Sequence, residues 1–215
     1  MLDYDGTQTE VLTGELTGKA DISNGATLEY SLSYPVVSKS RSISFFYRSN
    51  ALKYQSLINS RYVNELRRLP PGWGPLESKI NGTFEVMYNK NGLLSIFMDT
   101  YEDMGMYRLT LGRTSATWNV RSSRRSELNQ LFKNQQMLNN IVSKHIFKEV
   151  EESQNAYPGS YYFDKRLFKR PWGYYLTDRG LAVYYQKGTV APGNSGIPTF
   201  LIPWDALKPI VNFTP

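Results

Sequence analysis

The stretch Phe168–Val211 constrains the fold of this 215-residue chain more than any other. Two short aromatic-rich runs, Trp172–Leu176 and Leu181–Tyr185, flank Thr177-Asp178-Arg179-Gly180. Tyr, Val and Leu at alternate places, with a connection that ends in Gly, predict a β-hairpin. A Gly- and Pro-rich loop follows at Gln186–Gly196, and then another β-prone run at Ile197–Ile202. Pro203-Trp204-Asp205-Ala206-Leu207 reads as the start of a short helix close to the chain end.

Upstream, residues 1–25 form a polar, Thr/Gly-rich N-terminal segment in which only Glu10–Leu16 has strand character. From Ala26 to Val37, Leu28, Tyr30, Leu32 and Tyr34 alternate with Glu29, Ser31 and Ser33, the period of a half-buried strand. Pro35 places its end at an edge or an exit. Ile43–Tyr47 is a second β-prone run, after which Ser49-Asn50 supplies a helix cap. Ala51, Tyr54, Ile58, Tyr62, Leu66 and Leu69 then recur at helical spacing, and Pro70-Pro71-Gly72 stops that helix. Gly82–Tyr88 and Leu93–Tyr101 flank Asn89-Lys90-Asn91-Gly92, a strong hairpin signal because Asn and Gly tolerate positive φ. Met106–Leu111 and Ser115–Val120 read as a further strand pair joined by Gly112-Arg113-Thr114. A second long helix covers Asn134–Glu152, with Leu138, Ile141, Val142, His145, Ile146 and Val150 as its buried stripe. The expected class is α+β: antiparallel sheet packed against two long amphipathic helices, with a C-terminal hairpin and a short terminal helix. Residues 26–133 and 134–215 make two halves of one compact unit on this reading.

The order hairpin, Ala191-Pro192-Gly193-Asn194-Ser195-Gly196 loop, strand and Pro-Trp-Asp helix resembles an extracytoplasmic domain of unknown function. That domain is shared by RsiV-type anti-sigma factors, where it binds lysozyme, and by PdaC-type peptidoglycan deacetylases, where it adjoins the catalytic domain. The family's loop reads Ala-Pro-Tyr-x-x-Gly; here Ala191, Pro192 and Gly196 match, and Gly193 stands in place of the Tyr. Glu127–Phe132 is similar to the family's Leu-x-Asp-Leu-Phe segment, and Leu57-Ile58-Asn59 to a Leu/Ile-Asn feature of its first helix. Met104–Arg108 falls where the family carries a Gly-Gly-Ala-His segment, but has no His. The resemblance implies a non-catalytic binding or sensing module of the bacterial cell envelope, recognising a wall component or a wall-attacking protein. It implies ligand contact through Tyr184, Ala191, Pro192, Gly193, Asn194 and Gly196, a place outside the cytoplasmic membrane, and no cofactor. Any membrane attachment would come from a segment outside this chain.

Composition agrees with that class. A hydrophobic fraction of 40% with 14% aromatics suits a folded domain. The chain has no cysteine and a single histidine, His145, too few ligands for a deacetylase-type zinc site or a thiolate one. His145 and Glu149 share a helix face at i, i+4, and Asp3-Tyr4-Asp5-Gly6 mimics the front of a calcium loop without its remaining ligands, so no metal is expected. Asp99, Glu102 and Asp103 form a close acidic group, and a carbohydrate hydrolase built on these acidic turn residues is the alternative function. The net charge of +6 favours anionic partners such as wall polymers. Basic and aromatic residues interleave at Trp118–Arg125 and Lys165–Trp172, but neither belongs to a nucleic-acid-reading module, and no nucleic-acid partner is expected. With Gly193 for the loop Tyr and a basic surface facing a basic protein, lysozyme of the common animal type should bind weakly.

Overall fold

The computed structural model describes residues 8–22, 25–70, 77–105, 109–162, 164–168 and 172–215. Two antiparallel strands, β1 (Val11–Asp21) and β2 (Thr27–Val37), open the fold in a register running from Val11↔Val37 to Asp21↔Thr27. A helical segment follows: α1 (Arg41–Leu57), one wider turn (Ile58–Tyr62) and α2 (Val63–Arg67). Then come β3 (Glu77–Lys90), β4 (Leu93–Asp103), β5 (Leu109–Asn119) and the two-residue β6 (Arg124–Arg125). Strands β1 to β6 form a six-stranded sheet in sequence order. The later part holds α3 (Leu128–Leu131), the 22-residue α4 (Gln135–Ala156), and a three-stranded sheet of β7 (Gly173–Leu176), β8 (Gly180–Tyr184) and β9 (Thr199–Pro203). Helix α5 (Trp204–Leu207) closes it. The class is α+β, as the periodicities imply.

Backbone contacts divide the chain into two compact units, one of residues 10–84 and 98–111, the other of 1–9, 85–97 and 112–215. In the first, β2 and β3 pair in parallel from Thr27↔Glu77 to Leu32↔Gly82. Parallel neighbours need a long crossover, and the α1–α2 segment supplies it. Its core joins Leu28, Leu32 and Ile80 of the sheet to Ile58, Tyr62, Val63 and Leu66 of the helical face. At the wider turn the Val63 N–H reaches back to the Ile58 carbonyl, five residues, so the buried stripe shifts to Ile58, Tyr62, Val63 and Leu66.

Two readings of this region are corrected. The β-prone run Ile43–Tyr47 is helical, and the helix begins at Arg41, not after Ser49-Asn50. Ser40 is its cap, with its Oγ accepting the Ile43 N–H at 3.2 Å. Ile43, Tyr47 and Ala51 lie four residues apart and are all buried, so a continuous apolar face overrides the strand preference of Ile, Phe and Tyr. The strand of the N-terminal segment is also longer than Glu10–Leu16, reaching Asp21.

In the second unit, Asn91-Gly92 turns β3 into β4 with φ of 52° and 69°, the paired positive values of a tight hairpin. The expected break at Gly112-Arg113-Thr114 is absent: β5 runs through it, and Gly112 has no positive φ. Asn134 caps α4 by accepting the Met137 N–H at 2.9 Å. Leu138, Val142 and Ile146 of α4 pack with Leu176, Leu181, Val183, Phe200 and Ile202 of the small sheet. Among the described residues no helix is long and apolar enough to cross a membrane.

Candidate functional site

The C-terminal hairpin forms because each element closes its own polar groups. Thr177 makes the turn by accepting the Gly180 N–H on its Oγ1 at 3.1 Å and donating its own N–H to the Gly180 carbonyl at 2.8 Å. β7 and β8 pair from Gly173↔Tyr184 to Leu176↔Leu181, and β8 and β9 from Gly180↔Pro203 to Tyr184↔Thr199. Helix α5 is tied to the turn by the Trp204 indole N–H, which donates to the Thr177 carbonyl at 3.1 Å.

The outer edge of β7 would expose unpaired backbone, a liability for any edge strand. Two serines cover it. Ser95 Oγ on β4 accepts the Leu176 N–H at 2.9 Å and shares a hydrogen bond with Thr117 Oγ1 at 2.8 Å. Ser115 Oγ on β5 donates to the Tyr174 carbonyl at 2.5 Å and lies 3.1 Å from the Tyr184 hydroxyl. Side-chain hydroxyls thus take the place of a fourth strand.

Beside them stands Arg113 on β5. Its guanidinium carbon lies 3.8 Å from the centre of the Phe97 ring and 5.8 Å from the rings of both Tyr175 and Tyr184. A cation stacked on three aromatic faces is held by the ring quadrupoles as well as by packing. The Arg113 backbone is equally fixed: its N–H donates to Gln186 Oε1 at 3.0 Å, and the Gln186 amide donates to its carbonyl at 2.6 Å. Gln186 behaves as one rung of a β-ladder at the point where the strand leaves for the loop.

That loop, residues 186–198, is pinned at several places. Tyr185 donates its N–H to the Pro198 carbonyl at 3.0 Å, and Thr189 its hydroxyl to the Gln186 carbonyl at 2.7 Å. Val190 and Ala191 are fully buried, and the Val190 carbonyl takes the Tyr162 N–H at 2.9 Å. Beyond half-buried Pro192, Gly193–Ser195 form a single tight turn whose residues are all exposed, and Gly196 leaves it at φ +73°. At that φ a side chain would be strained, so Gly is the residue that lets the chain return. Of the six residues expected at the ligand, Gly193 and Asn194 are exposed and Pro192 and Gly196 half-buried. Ala191 is buried at 1% and Tyr184 at 3% exposure, beneath the loop and within the Arg113 cluster.

The family description "Protein of unknown function (DUF3298)" matches residues 129–205, from α3 to the first turn of α5. A DUF3298 domain is found here. Among curated proteins, none matches the chain. Two solved DUF3298 structures share the fold over almost the whole length. One, from Bacteroides fragilis NCTC 9343, has a TM-score of 0.65 at 14% identity and covers 98% of this chain and 97% of its own. The other, from Pseudomonas aeruginosa PAO1, has a TM-score of 0.63 at 13% identity and covers 94% and 95%. The hairpin, the loop and Gln186 all lie inside the DUF3298 match, whereas Ser95, Arg113 and Ser115 come from the preceding strands.

The other candidate groups sit elsewhere. Asp99, Glu102 and Asp103 belong to strand β4, not to a turn after it. Strand alternation puts Glu102 on the opposite face from Asp99 and Asp103, and four strand residues hold those two about 13 Å apart, wider than the roughly 5–10 Å between the carboxyl groups of a glycosidase. Glu102 accepts three hydroxyls: Tyr54 at 2.5 Å and Tyr62 at 2.7 Å on Oε1, and Thr110 at 2.8 Å on Oε2. Burial first, and then the Glu102 carboxylate, push the Tyr54 hydroxyl well above the usual phenol range. His145 Nδ1 lies 2.9 Å from the Ile141 carbonyl, an in-helix bond that commits one ring nitrogen. Glu149 has its pKa raised by burial and by Glu152. Among the described residues no group of three or more metal-ligating side chains comes together. Trp118 is buried at 5% exposure, which removes it from any stacking surface beside Arg121–Arg125. Asp3–Gly6 and the end of the Met104–Arg108 segment lie outside the described residues.

Proposed function

We propose that this chain is a non-catalytic binding module that works outside the cytoplasmic membrane and contacts cell-wall polymer through the loop 186–198. The observation that carries this reading is the contrast within the loop. Its base is fixed by Gln186, Val190 and Ala191, while the turn Gly193–Ser195 is exposed. A surface ordered before it meets its partner loses little entropy on binding, which is how a recognition loop gains affinity. In this reading Pro192, Gly193, Asn194 and Gly196 form the contact, and Tyr184 and Ala191 support it from below. The likeness of the Ala191–Gly196 loop to that of RsiV-type and PdaC-type proteins supports a place in the cell envelope. The net charge of +6 favours an anionic wall polymer over a basic lysozyme.

The hydrolase alternative needs two carboxyl groups facing one sugar, and β4 sets Glu102 on one face and Asp99 and Asp103 too far apart on the other. Incubation with insoluble peptidoglycan separates the two. A binder is retained saturably and releases no reducing ends. Release of reducing ends in proportion to protein and time would establish the hydrolase instead.

A further inference from the structure

A cavity of about 360 Å³ lies in the second unit, apart from the loop, where β6, α3 and the C-terminal tail meet. Its size is that of a small-molecule site. Arg124, Arg125, Asn119, Gln130, Asn212 and Phe213 carry its chemistry, and among the described residues no Asp or Glu lines it. We infer that this cavity binds a sugar residue that bears a carboxylate.

The lining is built, not incidental. Asn119 Oδ1 accepts the Ser122 N–H at 2.9 Å, which forms the turn that brings Arg124 and Arg125 back beside β5 in the register Trp118↔Arg125 and Asn119↔Arg124. The tail is stitched to α3: Asn212 donates its N–H to the Leu131 carbonyl at 2.9 Å and its amide NH₂ to the Gln130 carbonyl at 3.1 Å. Phe213 is fixed edge-on between Trp204 and Tyr88, at 5.6 and 6.3 Å between ring centres.

The groups that line the cavity point to the ligand. Arg124 is exposed, and Arg125 uses one Nη to donate to the Ser115 carbonyl at 3.5 Å. Positive charge with no acid in the lining matches a carboxylate in charge, and the planar guanidinium of exposed Arg124 matches it in geometry. The Asn212 NH₂ is engaged, which leaves its Oδ1 as an acceptor; Gln130 Oε1 takes the Glu127 N–H at 2.9 Å, which leaves its NH₂ as a donor. An acceptor and a donor together suit sugar hydroxyls or an acetamido group. The ring of Phe213 offers an apolar wall for the C–H face of a pyranose. An inorganic anion would use the arginines and leave the amides and the ring idle.

Taking wall glycan as the source of the sugar rests on the function proposed above; the chemistry of the cavity does not. The test is an NMR titration of the whole chain with four probes: N-acetylmuramic acid, glucuronic acid, N-acetylglucosamine and inorganic phosphate. Both carboxylated sugars should shift the amides of Arg124 and Arg125 and the side-chain NH₂ signals of Gln130 and Asn212 saturably. N-acetylglucosamine and phosphate should bind at least tenfold more weakly, and Arg124→Gln should weaken the carboxylated sugars at least fivefold with the rest of the spectrum unmoved. N-acetylmuramic acid binding more tightly than glucuronic acid favours wall glycan as the source, and the reverse a uronate polymer; both keep the site. Phosphate binding as well as the sugars, or no saturable shift with either carboxylated sugar, overturns the inference. Peptidoglycan retention that persists unchanged in Arg124→Gln rules out wall glycan as the source of the sugar while leaving both the site and the proposed function intact. Saturable sugar binding by a wild-type chain that is not retained on peptidoglycan keeps the site and overturns the proposed function.

Discussion

Replacing Ser95 by Ala removes one oxygen and should loosen the hairpin that carries the loop. Ser95 is fully buried, and its hydroxyl is the acceptor for the Leu176 N–H at 2.9 Å and the partner of Thr117 at 2.8 Å. The substitution changes the volume little, so cavity terms are minor and the loss is one of hydrogen bonding. The Leu176 N–H is left in the core with no acceptor, at about 1–3 kcal/mol, and the Thr117 hydroxyl loses its partner for about 1 kcal/mol more. A total near 3 kcal/mol corresponds to a fall in melting temperature of roughly 6–12 °C for a chain of this size. Urea denaturation gives the first quantity and a thermal scan the second. The Leu176 amide should also exchange with solvent faster, by about two orders of magnitude if the loss acts locally. Thr117→Val in the Ser95→Ala background should recover part of the loss, because it removes the hydroxyl left unpartnered. A loss under about 0.5 kcal/mol, the range of an ordinary surface change, would refute the claim that side-chain hydroxyls close the β7 edge.

Other outcomes follow from the same geometry. Tyr185 donates its hydroxyl to the Phe168 carbonyl at 2.6 Å within the core, so Tyr185→Phe should lose about 1–2 kcal/mol in urea denaturation. A Cβ on Gly173 would stand 2.1 Å from Cζ of the Tyr184 ring, so Gly173→Ala should destabilise by about 1–3 kcal/mol and broaden the Tyr184 ring signals. Burial pushes the Tyr88 hydroxyl up to about 12. The folded state therefore holds its proton longer than the unfolded one; this stability is complete below the unfolded value of about 10 and falls as pH rises towards 12, a slope that Tyr88→Phe should flatten. With Gly193 in place of an aromatic anchor worth about 2 kcal/mol, calorimetry with hen-type lysozyme should find no sub-micromolar complex at physiological salt.

Much of this fold was legible because its strongest local signals were of the kind that tertiary structure seldom overrides. Asn91-Gly92 demanded a tight turn, the stripe of α4 kept its period from Leu138 to Val150, and Gly180 closed a hairpin between two aromatic strands. The failures came where packing decided. Ile43–Tyr47 has the residues of a strand, but Ile43, Tyr47 and Ala51 find their burial at helical spacing. Gly112-Arg113-Thr114 has the composition of a connection, but Arg113 is held extended by an amide 73 residues later in the chain. No local pattern encodes such a long-range pair. The loop was visible as Ala191–Gly196, and its supports were not. Ser95 gave the only cue, a lone hydroxyl in the apolar run Leu93–Phe97, which signals a buried hydrogen bond without naming its partner. Gln186 and Ser115 gave none.

The claim that the exposed turn is the contact surface is tested most directly by the affinity for peptidoglycan of the wild-type chain and of an Asn194→Ala, Ser195→Ala double variant, measured side by side by co-sedimentation. Both residues are exposed and lie outside the hydrogen bonds that pin the loop base, so the variant should keep its melting temperature. Loss of two tip side chains that meet a ligand corresponds to about 1–2 kcal/mol, a five- to thirty-fold weaker dissociation constant. Saturable binding by the wild type, weakened by that factor in the variant and with no fragments released, is the predicted result. Equal affinity of the two chains would contradict it.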